Sequence, residues 1–226
     1  MKVFAYYEPV PELSDHAALV SRWYDRWRRM GWQPVVLGYD HDALRHPSHN
    51  RVVSLVQQFP GVTPIGYRVA TFRRWLALAV SLPMDEVALV CDYDVFNASL
   101  TPDEGLRLHD KAAIHNLHYG QCCQPLVLDG RQAQALPWLA TTQLLRAWFD
   151  FQGKMEPHDD HLVHMLRRPA HRVEEFGPFR WTDLCYAYEP GPAKGKLVHL
   201  AFGPTTAAGE TKLTAWAKLE EAYPCA

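Results

Sequence analysis

Long apolar runs are missing from this chain of 226 residues. None approaches the roughly 20 residues that a membrane-crossing helix needs, so no span is expected. Glu8 interrupts the apolar start Met-Lys-Val-Phe-Ala-Tyr-Tyr, and a signal peptide is not expected either. Glycine-rich phosphate loops are also missing: no Gly-x-Gly-x-x-Gly follows the first strands, so a phosphate must be held by something other than a glycine nest. Cys-x-x-Cys does not occur, and the five cysteines (Cys91, Cys122, Cys123, Cys185, Cys225) are odd in number. That pattern fits reduced thiols in a cytoplasm better than a disulfide framework or a zinc ribbon. An excess of one charge is missing as well. A net charge of −2 argues against a nucleic-acid or membrane-surface binder, which would be basic. Repeats and low-complexity segments are absent.

What is present is a globular composition, 48% hydrophobic and 21% charged, of a size for one domain over 1–226. Lys2 to Tyr7 reads as a strand, ended by Pro9 and Pro11. Ser14 and Asp15 suit a helix start. Val20, Trp23, Tyr24, Trp27 and Met30 then form the buried stripe, with Arg22, Arg26, Arg28 and Arg29 outside. Gly31 is the expected stop. Gln33 to Gly38 is a second strand, and this strand–helix–strand unit has the size of a parallel crossover. Val52 to Phe59 fits strand and helix equally. Tyr67 to Leu82 reads as a helix burying Phe72, Trp75, Leu76, Ala79 and Val80, with Arg68, Arg73 and Arg74 distributed around it.

Further on, Phe96-Asn97 and Pro102 mark a turn into a short helix near Asp103–Leu108, and Lys111 to Asn116 reads as a strand. Asp129-Gly130 is a turn signal, consistent with a hairpin. Helices are expected over 141–151 and from Pro157, and short strands near Val173 and Cys185. Lys196 to Leu200 is a last strand, and Thr211 to Tyr223 a terminal amphipathic helix with Leu213, Trp216 and Leu219 inward. The class is α/β, a Rossmann-like mixed central sheet flanked by helices on both faces.

The most informative stretch is Val87-Ala-Leu-Val-Cys-Asp-Tyr-Asp-Val95. A buried strand runs straight into Asp92 and Asp94. Residues two apart in an extended segment point the same way, so both carboxylates face one spot at the carboxyl end of a strand, where open α/β sheets keep their ligands. Such a pair can hold Mg²⁺ or Mn²⁺ through oxygen; equally, a strand can simply end in a polar turn. A different reading uses His158, Asp159, Asp160, His161 and His164, with His115 and His118. Histidines three or four apart share a helix face, which would suit a metal-dependent phosphohydrolase. A non-catalytic nucleotide- or sugar-binding module is the third reading.

The order of parts resembles the metal-dependent GT-A glycosyltransferases. In that family a nucleotide-binding half leads, through a helix bearing an arginine, into a strand ending Asp-x-Asp, and a late histidine completes the metal site. The resemblance implies a GT-A-like fold with a nucleotide-sugar half over 1–97 and an acceptor half over 98–226. It implies a divalent cation, Mn²⁺ or Mg²⁺, at Asp92, Asp94 and His199, although His199 in an apolar strand also fits a core histidine. The helix arginine would be Arg74 or Arg73, in Thr71-Phe-Arg-Arg-Trp. Tyr6 and Tyr7 would stack on the base, Asp40 would bind ribose, and Tyr93 would touch the donor. Asp159 or Asp160 would be the catalytic base. The partners would be a UDP- or GDP-sugar and a glycan or other hydroxyl acceptor. The chain departs from the family after the late histidine: Gly203 comes one residue late, Pro204-Thr-Thr follows, and Lys212 is too far on to match the lysine that meets the diphosphate.

Overall fold

The computed structural model describes residues 1–10, 16–39, 42–58, 64–110, 126–141, 197–200 and 210–225. The strand expected over 111–116, most of the helix expected over 141–151, the helix from Pro157 and the strands near Val173 and Cys185 lie outside the described residues.

Strand β1 (Lys2–Tyr7) is central. It pairs in parallel with β2 (Gln33–Gly38), Lys2 opposite Gln33 and Tyr7 opposite Gly38. On its other side it pairs in parallel with β3 (Val87–Val90), Lys2 opposite Ala88. Strand β5 (Leu126–Asp129) closes the order β2-β1-β3-β5 and runs antiparallel to β3. The α/β class with a mixed sheet is therefore what the chain forms. The expected Asp129-Gly130 hairpin is not: β5 pairs with β3, and Gly130 opens helix α5 (Gly130–Thr141). A second, two-stranded sheet joins β4 (Val95–Asn97) to β6 (Leu197–His199). Phe96-Asn97 thus lies in a strand rather than a turn.

Alternation along the strands divides the core. Val3, Ala5, Leu89 and Cys91 pack with Leu19, Trp23 and Trp27 of helix α1 (His16–Arg29). Phe4, Ala88 and Val90 pack on the opposite face, with helices α2 (His49–Gln58), α3 (Ile65–Ser81) and α5. Helices therefore cover both faces, as a parallel core requires. The stretch whose pattern fitted strand and helix equally is α2, with Val52 and Val56 on one helical face in the core. Helix α4 (Pro102–Asp110) follows the second sheet. The last helix, α6 (Lys212–Ala222), adds Ala215, Trp216 and Leu219 to the α1 side. Trp23, Trp27, Trp75 and Trp216 are fully buried, each contributing roughly 2–3 kcal/mol by removal from water.

Helix α1 ends as expected. Gly31 has φ +82°, and its N–H donates to Arg28 O while that of Trp32 donates to Trp27 O, the paired bonds of a Schellman stop. Two expected core residues are exposed instead: Tyr24 in α1 and Val80 in α3. Trp23 and Trp27, four apart, already fill the α1 stripe. Conversely, Arg26 is buried rather than outside. Its guanidinium donates to Asn97 O (2.7 Å), Ala98 O (3.2 Å) and Tyr223 O (2.7 Å) and lies over the Phe96 ring. Burial pushes its pKa down from the usual arginine value. Arg68 and Arg74 are buried too. Among the described residues, no helix is long and apolar enough to cross a membrane.

Candidate metal centre

The chain leaves β1 for β2 through α1, then crosses back to β3 on the other side of β1. The segments after β1 and β3 therefore part, and the carboxyl ends of these two strands border a crevice. Asp92-Tyr93-Asp94 lies at that point. The Cys91 N–H extends the ladder to Phe4 O (3.0 Å), and the chain then turns, with Val95 N donating to Asp92 O (3.1 Å). The two carboxylates converge through this turn, not through an extended alternation. Register supplies the third group. β4 and β6 set Val95 opposite His199, and Leu200 N donates to Asp94 O (3.0 Å).

Asp92, Asp94 and His199 each offer one ligand atom within 4.8 Å of the others. His199 Nε2 lies 3.2 Å from Asp94 Oδ1 and 3.8 Å from Asp92 Oδ2. Each carboxylate gives its other oxygen to a fixed cation. Arg74 Nη1, from α3, pairs with Asp92 Oδ1. Lys212 Nζ, from the first turn of α6, lies 2.5 Å from Asp94 Oδ2. Asp92 Oδ2 and Asp94 Oδ1 both lie near His199 Nε2. Among the described residues, Asp94 Oδ1 is buried with the His199 ring nitrogen as its near neighbour at 3.2 Å. Adjacent ligands on a six-coordinate Mg²⁺ or Mn²⁺ stand about 3 Å apart, so this donor set fits such an ion, with Arg74 and Lys212 holding the carboxylates from behind.

The electrostatics follow from the packing. Burial pushes the Asp94 carboxyl up, but the Lys212 ammonium and then His199 outweigh it and hold it well below the usual carboxylate range. Burial lowers the His199 pKa, yet Asp94 outweighs it and the ring titrates above the ordinary histidine value. Burial, and then Asp94 and Asp92, push the Tyr93 phenol far up. It stays protonated and is the natural donor in its 2.5 Å hydrogen bond with His16 Nδ1. Cys91, directly beneath, has a thiol pushed up by burial and offers no thiolate to an ion.

The other expected site residues divide. Tyr7 meets Tyr93 edge to face, with ring centroids 5.7 Å apart. Tyr6 donates its hydroxyl to Glu8 Oε2 (2.6 Å). Arg73 is not with the carboxylate pair: it bonds Glu8 Oε1 (2.5 Å) and lies over the Tyr39 ring. Asp40, Asp159 and Asp160, with His115, His118, His158, His161 and His164, lie outside the described residues. Lys212, which spacing left unassigned, is a member of the cluster. One signal for it was in the sequence: a lysine directly after the N-cap Thr211 opposes the positive end of its helix and needs an acidic partner. His16 and Glu8 carried no comparable signal. In comparisons with known protein families, curated proteins and solved structures, this chain matches none of them.

Proposed function

We propose that this chain is a divalent-cation-dependent glycosyltransferase of GT-A type. It moves a sugar from a UDP- or GDP-sugar to a hydroxyl of a glycan or other acceptor. The observation that carries the reading is the convergence of Asp92, Asp94 and His199 beside the central strand at the crossover of the sheet. Two oxygens and a nitrogen suit Mn²⁺ at least as well as Mg²⁺. The ion would supply Lewis-acid stabilisation of the departing diphosphate, worth several kcal/mol.

The chain's own residues do the rest. Arg74 and Lys212 keep the carboxylates aimed at one point. Arg74 acts on Asp92 directly. Tyr7 and Tyr93 offer ring surface and hydroxyls to the nucleoside at the same edge. Asp159 or Asp160 takes the acceptor proton, an effect of about 10²- to 10⁴-fold. The test is direct. The protein is incubated with UDP- and GDP-sugars and Mn²⁺, and released nucleoside diphosphate is measured. Release that disappears with EDTA and in Asp94→Asn is expected. No release from any donor, with Mn²⁺ or Mg²⁺, would overturn the reading.

A further inference from the structure

We infer that Lys212 and Arg74 are resident counter-ions of the metal centre, so that a divalent cation enters together with a nucleoside diphosphate and binds poorly alone. The inference rests on the functional reading above and extends it to how the site is filled. An ordinary carboxylate site carries surplus negative charge, and that surplus draws the ion in. Among the described residues there is no surplus. Asp92 is paired with Arg74, and Asp94 with Lys212 at 2.5 Å. Arg74, Asp94 and Lys212 are all under one tenth exposed, so water screens these charges little.

Among the described residues, and with the His199 ring neutral, two carboxylates and two fixed cations sum to zero before any ion arrives. A lone Mn²⁺ would then bring two uncompensated positive charges beside a buried ammonium. A diphosphate carries two to three negative charges on adjoining oxygens and restores the balance. Each ligand therefore raises the affinity of the other by the same factor, because linkage is reciprocal. Removing Lys212 should then improve the binding of the metal alone, the reverse of what losing a useful side chain normally does.

The experiment is a titration of the full chain with Mn²⁺, read by the electron paramagnetic resonance of free Mn²⁺, alone and with UDP, GDP or UMP. UDP or GDP is expected to tighten Mn²⁺ binding at least about tenfold, within the usual range of coupling, and UMP to do less. Lys212→Gln should bind Mn²⁺ alone about tenfold more tightly than the unaltered chain and lose most of the coupling. Lys212→Arg, which keeps the charge, should retain weak binding and strong coupling. Equal Mn²⁺ affinity with and without a diphosphate would overturn the inference and leave the functional reading standing. So would a folded Lys212→Gln that binds Mn²⁺ no better. If Lys212→Gln does not fold, the diphosphate arms and Lys212→Arg decide alone. Binding of neither Mn²⁺ nor any diphosphate would overturn both readings.

Discussion

Asp94 stands between Lys212 and His199, so neutralising it removes a partner from both. Asp94→Asn leaves Lys212 buried without its counter-charge, a loss of about 3 kcal/mol. The double variant Asp94→Asn with Lys212→Met should recover most of that in urea unfolding, because the ammonium goes too. The metal-free protein should also respond to pH in a defined direction. His199 titrates above its ordinary value because Asp94 outweighs the effect of burial. Its contribution is fully present below about pH 6.5 and is lost as pH rises through the folded value. Asp94 titrates low, with burial opposed by Lys212 and His199, so its contribution is lost only on strong acidification. Melting temperature in EDTA should therefore fall from pH 6 toward 9, and His199→Gln should flatten that fall. At this scale Asp92 and Asp94 could be read from residue type and strand context, and His199 only through the resemblance to a family with a late histidine. Lys212 could be read only as needing some acidic partner; which one could not, because Asp94 is 118 positions away and spacing along a chain does not report a contact between separate elements.

Among the elements, the start of α5 shows how a correct local signal can be put to the wrong use. Asp129-Gly130 was read as a hairpin turn. In fact Gln132 N donates to Asp129 Oδ1 (2.8 Å) and Asp129 N to Gln132 Oε1 (3.0 Å), a reciprocal box that starts a helix. Gly130 is needed for space: a Cβ there would lie 2.0 Å from Pro83 O and 2.5 Å from Met84 Cα. Both contacts are backbone and cannot swing aside. Asp129→Ala should cost about 1 kcal/mol in chemical denaturation. Gly130→Ala should cost more, and more than Gly31→Ala, which needs only a left-handed φ that costs alanine about 1 kcal/mol. Acidic–glycine pairs and helix starts share a vocabulary, and only the pairing of β5 with β3 decides between them. Elements with a long apolar stripe, α1 and α3 above all, were legible because their periodicity is repeated over several turns.

Over the whole molecule, the candidate site draws Arg74, Asp92 and Asp94 from the first part of the chain and His199 and Lys212 from the last. The two cores then have different duties. On the α1 face, Trp216 is fully buried, meets Phe96 of β4 edge to face at 5.1 Å, and fixes the helix that begins at Lys212. On the other face, Leu136 of α5 is equally buried, but its helix contributes no described residue to the cluster. Trp216→Leu and Leu136→Ala should each destabilise by about 2–4 kcal/mol. Only the first should also move Lys212 off Asp94. Mn²⁺ binding with UDP, measured well below both melting temperatures, should weaken severalfold in Trp216→Leu and stay near the unaltered value in Leu136→Ala. If both lesions weakened binding in proportion to lost stability, the site would depend on general rigidity. A difference at matched stability would trace it to the α6–β4 contact, which helps bring the end of the chain to its Asp-x-Asp turn.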